Sequence, residues 1–145
     1  MNSLNAIHVD DVVVDQFKSL NKTQLRYVVY QIDSAAGNRL SVVPDFAGET
    51  EGTVHEDIAA QLPAQDCRFV FFNISYIQGT GERIKTVMAL WCPSDAPVKN
   101  KMIYAAAAGP LKSKLGTHAM GPLQASQTSC FDYGDVVLRC RKNFN

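Results

Sequence analysis

The residues of this chain best suited to chemistry are four lysines, Lys99, Lys101, Lys112 and Lys114, within W-C-P-S-D-A-P-V-K-N-K-M-I-Y-A-A-A-A-G-P-L-K-S-K-L at 91–115. Their chemistry would be recognition: ammonium groups held on a helix bind strongly when desolvated against an acidic partner. Pro97 suits a helix start, where its missing N–H costs little, and Ser94 and Asp95 read as caps just before it. The helix is therefore expected to begin between 95 and 98. At about 3.6 residues per turn, Lys101, Ala105, Ala108 and Lys112 share one stripe, and Val98, Met102 and Ala106 form the adjacent one. One stripe should face inward and the other a partner. Gly109-Pro110 predicts a kink, or a break and restart, because an internal proline removes a hydrogen bond and collides with the preceding turn at about 3 kcal/mol.

Nucleophilic chemistry is the competing reading. Cys92 or Cys140 with His55 or His118 would form a thiol dyad if folding brought them together. No nucleophile motif surrounds either cysteine, however, and the isolated Gly79-Thr80-Gly81 is a turn rather than a phosphate cradle. Cys67, Cys92, Cys130 and Cys140 are widely spaced, without a C-x-x-C pair or histidines at zinc-ligand spacing. They read as reduced thiols of a cytosolic protein. Cys140, inside R-C-R-K, is the one whose neighbours could lower its pKa, and a buried, inert thiol is the alternative. The sequence thus predicts no enzyme, no metal and no cofactor.

The elements that must position the lysines follow from periodicity. Val9, Val13, Phe17 and Leu20 recur at helical spacing behind Asp10 and Asp11, which predicts a first helix. Residues 25–32 and 40–43 read as strands of a hairpin, with turn chemistry at Ala35-Ala36-Gly37-Asn38. Thr53-Val54-His55-Glu56 has the form of a capping box, predicting a short helix that Pro63 halts. Strands over 68–77 and 83–91 flank a turn at 78–82, and their continuous apolar centres imply a sheet covered on both faces. Arg83 and Lys85 then project from one strand face and Ile84 from the other. Arg139 and Lys142, with Arg141 alongside, give a last helix a basic end.

The composition restricts the partners. The 145 residues are 46% hydrophobic and 19% charged, ordinary for a globular domain, and 14 basic residues balance 14 acidic ones. No whole-molecule field favours nucleic acid or an anionic membrane, so electrostatic recognition must come from local patches. No basic-plus-apolar leader and no apolar run of about 20 residues is present, which predicts a cytoplasmic protein.

The run W-x-P-x-x-A-P-V-K-x-K-M-x-Y-A at 91–105 resembles the signature of the ADF/cofilin family of actin-binding proteins. The resemblance extends to the Tyr-rich strand at 26–32, L-P-x-x-D-C-R-F at 62–69 and the basic hairpin before Trp91, and is weakest over 116–132. It implies an α/β, ADF-homology fold, one domain over 1–145 with a central mixed β-sheet sandwiched between α-helices. It implies a monomer of the cytoplasmic actin cytoskeleton that binds monomeric and filamentous actin, prefers the ADP-bound form, and severs and depolymerises filaments without a cofactor. By position, the resemblance places Ser3, Asn5, Ala6, Ile7, Lys99, Lys101, Met102 and Lys112 against actin in monomers and filaments. It places Arg83, Lys85, Arg139 and Lys142 at a second, filament-only contact.

Three places depart from the family pattern, one of them Gly109-Pro110, where members usually carry a polar or charged helical stretch. Asn5-Ala6-Ile7 stands where many members carry a phosphorylatable serine before Gly-Val, and Ser3 lies two residues upstream. Leu138 stands where an acidic residue is common. Control is therefore expected from Ser3 or from phosphoinositide headgroups competing for Lys99, Lys101, Lys112 and Lys114. The alternative is a related domain that binds actin, or a branched-actin nucleator, without severing; a working second contact separates the two readings.

Overall fold

The computed structural model describes residues 7–22, 24–33, 40–48 and 54–142. In chain order these form β1 (His8–Val9), α1 (Asp11–Asn21), β2 (Tyr27–Asp33), β3 (Ser41–Gly48), α2 (Val54–Gln61), β4 (Arg68–Gln78), β5 (Gly81–Trp91), α3 (Val98–Leu115), β6 (Met120–Ala125) and α4 (Tyr133–Lys142). A 3-10 turn at Thr128–Phe131 precedes α4. The strands make one six-stranded mixed sheet in the order β1-β3-β2-β4-β5-β6. The outer pairs β1–β3 and β5–β6 are parallel, and the three central pairs are antiparallel.

Strand alternation divides the apolar residues between two cores. On one face Val28, Tyr30, Phe69, Phe71, Met88 and Leu90 meet Val13, Phe17 and Leu20 of α1 and Tyr104, Ala107, Ala108 and Leu111 of α3. On the other, Val29, Val70, Phe72, Ile74, Tyr76, Val87 and Trp91 meet Ile58 of α2, Phe131 and Val136, Val137 and Cys140 of α4. This is why β4 reads as an unbroken apolar run: consecutive residues are buried on opposite faces. The sheet lies between helices, as the sequence implied.

Local differences from the sequence reading have simple causes. Val9 belongs to β1 and not to the first helix, because His8 and Asp10 spend their amides on Leu40 and Val42 carbonyls at 2.9 and 3.0 Å. Asp10 is the N-cap, its Oδ1 accepting from the Val12 N–H at 2.8 Å. The β4–β5 connection is tighter than 78–82. Gln78 already pairs with Gly81, leaving Gly79-Thr80 as the turn, with Gly79 at φ 65°. The proposed turn at 35–38 and the Thr53 cap lie outside the described residues.

Residues 120–125 were not anticipated as a strand. Gly121 adopts φ 115°, and a Cβ there would collide with the Met88 carbonyl oxygen. Glycine at this position lets β6 come alongside β5. Pro122, lacking a donor, is tolerated because β6 is an edge.

Candidate functional site

α3 grows from the end of β5 through a short connection whose backbone is closely bound. The Cys92 N–H donates to the Ala125 carbonyl at 2.8 Å, and the Ala96 N–H to that of Pro93 at 3.0 Å. Ala96 is buried, anchoring the turn. Pro97 is the N-cap and provides no side-chain cap, so neither Ser94 nor Asp95 serves in that role. Instead Lys101 reaches back, its Nζ donating to the Ser94 carbonyl at 3.1 Å.

Asn100, between Lys99 and Lys101, fixes the first turn from below. Its Nδ2 donates to Asp66 Oδ1 at 3.1 Å. Asp66 Oδ2 in turn accepts from Arg68 Nη1 at 2.7 Å, and Arg68 Nε reaches Asp45 at 2.8 Å. Burial alone would raise the Asp66 carboxyl, but hydrogen bonds from Arg68 and the Cys67 amide, with the Arg68 charge, outweigh it and hold the group below its ordinary pKa.

The inward ridge of α3 is Tyr104, Ala107, Ala108 and Leu111. The two stripes expected from spacing therefore do not divide into one inward and one outward. Of their members only Ala108 is buried, and Lys101 and Lys112 sit at the flanks. Tyr104 decides the orientation by packing against Phe69, the two rings tilted at 39° with centroids 4.9 Å apart. The opposite face presents Val98, 70% exposed, and Met102, 68% exposed, one turn apart. Ala105, Ala106 and Gly109 continue that strip, with Lys99 exposed beside it.

Gly109-Pro110 does not break the helix, which runs through to Leu115. Tyr104 and Leu111 grip the sheet on either side of the proline, and Ala106, whose carbonyl loses its helical donor, is exposed to solvent. Gly116, at φ 64°, closes the helix by donating to the Ser113 carbonyl at 3.1 Å. Lys112 Nζ donates to the Gly121 carbonyl at 3.0 Å. An open groove of about 560 Å³ lies beside it, lined by Gly109, Lys112, Ser113, Gly116, Thr117 and His118.

A second basic region forms on the other face of the sheet. Arg83 pairs with Tyr76 and Lys85 with Ile74, which puts both cations on the α4 side. α4 is stitched to the same end of β4: Tyr133 Oη donates to the Ser75 carbonyl and Arg141 Nη2 to that of Ile77, both at 2.6 Å. Arg83 and Arg141 both act electrostatically on Tyr76, and Lys85 on Cys140. The fold thus gathers hairpin and tail cations that lie some 55 positions apart in sequence. Arg139 and Lys142 are exposed on the same helix.

Among the other sequence-derived residues, Ser3, Asn5 and Ala6 lie outside the described residues. Ile7 is only 2% exposed and belongs to the α1/α3 core, so its side chain supports the fold and is not a surface contact. All four cysteines carry free thiols, and Cys140 is fully buried, its pKa pushed up by desolvation despite the Lys85 charge. Sequence reasoning named Val98 on the Met102 stripe and Arg141 in the basic end of the last helix, but assigned neither to a contact. For Arg141 nothing in the sequence showed that it reaches β4. Among the described residues no helix is long and apolar enough to cross a membrane, and no metal-binding cluster occurs.

A helix-flanked mixed sheet presenting a basic, Met-bearing helix on one face and a basic hairpin on the other has the surface of a protein-binding module. The chain belongs to the cofilin/tropomyosin-type actin-binding family, whose model matches residues 6–141. It is 34% identical to actophorin of Acanthamoeba castellanii over 113 residues, covering 77% of this chain and 79% of that protein. It is 30% identical to actin-depolymerizing factor 7 of rice over 144 residues, covering 98% and 99%. The cofilin of Streptomyces griseoflavus has the same fold, with a TM-score of 0.77 at 19% identity over 94% of this chain and 98% of that one. This is an actin-binding domain of the ADF/cofilin type.

Proposed function

We propose that the chain binds actin monomers through the outer face of α3, and filaments through that face together with the hairpin and α4 cations, and so severs and depolymerises filaments. The observation that carries this reading is the exposed Val98–Met102 pair with Lys99 beside it. Solvent-exposed methionine and valine at 68–70% on a helix otherwise anchored by tyrosine and leucine have no role in the core. Apolar anchors beside a cation suit a partner surface with a hydrophobic cleft and an acidic rim.

The two basic regions, on opposite faces of the sheet, support simultaneous contact with adjacent subunits. Ser3, Asn5 and Ala6 would extend the α3 contact, with Lys101 and Lys112 at its edges. A ligand bound at two contacts shifts filament twist only if one twist state exposes both better, and boundaries between decorated and bare segments then become sites of breakage. Preference for ADP-bound actin, competition by phosphoinositides at Lys99, Lys101, Lys112 and Lys114, and a monomeric, one-domain protein of the cytosol complete the reading.

The test is co-sedimentation with filamentous actin beside a monomer-binding assay and direct imaging of filament lengths. Binding in both, with shortening of filaments, is expected. Binding without shortening would leave an actin-decorating domain, and absence of binding in both assays would refute the proposal.

A further inference from the structure

Two thiols that are distant in sequence meet at the root of α3. Arg68 and Trp91 are the last pair of the β4–β5 ladder, so Cys67 and Cys92 are the next cross-strand neighbours. Their backbone amides are turned away from one another. The Cys92 N–H donates to Ala125 on β6, and the Cys67 N–H to Asp66 Oδ1, both at 2.8 Å. This identifies the pair as the non-hydrogen-bonded kind, at which α-carbons approach to about 4.5 Å and side chains are closest. A disulfide needs α-carbons about 4.4–6.8 Å apart. The two thiols are close enough that each acts on the other's pKa.

We propose that Cys67 and Cys92 form a reversible dithiol–disulfide site at the base of α3, closed by a peroxide-class oxidant. Cys67 is fully buried, whereas Cys92 is half-buried and can meet a small oxidant. This difference in exposure sets the order of events. Burial raises the Cys92 thiol, opposed by the Lys101 charge, but Cys92 is the sulfur a small oxidant can reach, so it attacks first. Burial pushes Cys67 up to about 12, so it keeps its proton until the second step.

In the first step the Cys92 thiolate attacks one peroxide oxygen. An S–O bond forms, the O–O bond breaks, hydroxide leaves, and sulfur loses two electrons to the peroxide. In the second, Cys67 sulfur attacks Cys92 sulfur; the S–S bond forms, the S–O bond breaks, and the departing hydroxide takes the Cys67 proton as water. Two thiols and one hydrogen peroxide give one disulfide and two waters. The inference does not depend on actin binding.

The experiment treats the full-length protein with hydrogen peroxide, alkylates it after denaturation, and maps peptides without reduction. The expected product is a Cys67–Cys92 linked peptide that dithiothreitol returns to two alkylatable thiols. Cys67→Ser should instead accumulate a dimedone-reactive sulfenic acid at Cys92, and Cys92→Ser should leave Cys67 unoxidised. Sulfinic acid at Cys92 with Cys67 still alkylatable in the unsubstituted protein would overturn the proposal, as would linkage of either residue to Cys130 or Cys140.

Discussion

The Tyr104 phenol oxygen accepts the backbone N–H of Ile32 at 2.8 Å, joining the middle of α3 to a strand 72 residues earlier in the chain. The bond fixes the rotation of α3 on the sheet and hence which residues face outward. Tyr104→Phe keeps the ring on Phe69 but removes the acceptor, and is expected to cost about 1–2 kcal/mol in urea unfolding. Burial also raises this phenol to about 12, outweighing the lowering effect of the Ile32 bond. The unfolded chain ionises near 10 while the folded phenol stays neutral, so its contribution is intact below about 10 and is lost as pH climbs towards 12. The Phe variant should lose stability less steeply over that window.

Lys99→Ala combined with Met102→Ser tests the outer face of α3. Both residues are exposed, so the unfolding midpoint should move by no more than about 0.5 kcal/mol equivalent. Affinity for monomeric actin should fall at least tenfold, about 1.4 kcal/mol. Lys101 is left out because its ammonium holds the Ser94 carbonyl, and its loss would confuse binding with helix positioning. Unchanged monomer affinity would remove α3 from the interface.

Arg83→Ala with Lys85→Ala addresses the opposite face. Filament co-sedimentation and shortening should weaken severalfold while monomer affinity stays the same, because these cations are separated from α3 by the sheet. Equal losses in both assays would mean a single site.

Asp66 makes stability depend on acid. Its folded pKa is held below the unfolded value, so its contribution is present above about pH 4 and is lost as pH falls through the folded value. Asp66→Asn should cost on the order of 1 kcal/mol at neutral pH, limited by solvent screening of the Arg68 pair, and should flatten the acid limb of the stability curve. Equal acid slopes for the two proteins would exclude Asp66 as a source.

Gly121→Ala should destabilise by about 1–3 kcal/mol, since the added Cβ meets the Met88 carbonyl in a backbone conformation that side chains disfavour. Thermal unfolding measures it. A neutral result would mean that β6 shifts freely along β5.

What the sequence disclosed was whatever local contrast encoded. Val13, Phe17 and Leu20 marked α1, the apolar run of β4 marked a sheet covered on both faces, and the signature around Lys99 marked the family. Ala105 to Ala108 carried no contrast, so spacing alone could not choose the inward ridge of α3; Tyr104 chose it through Phe69 and Ile32. β6 was hidden because Gly121-Pro122 reads as a breaker, although the glycine is there for the approach to Met88. The bond from the Asn100 amide to Asp66 and the meeting of Cys67 with Cys92 depend on strand pairing between distant segments, which no local pattern contains.

The β4–β5 ladder gives the molecule a mechanical axis. Its register runs without a shift from Gln78 opposite Gly81 to Arg68 opposite Trp91. Arg83 and Lys85 lie near one end and the root of α3 at the other, roughly 27 Å apart at strand spacing. With a close-packed core on each face, that length is effectively incompressible. On the proposed two-contact reading the protein would be a gauge of fixed span: two surfaces touched at once would have to come to its spacing, any misfit being taken up as elastic strain in the lattice.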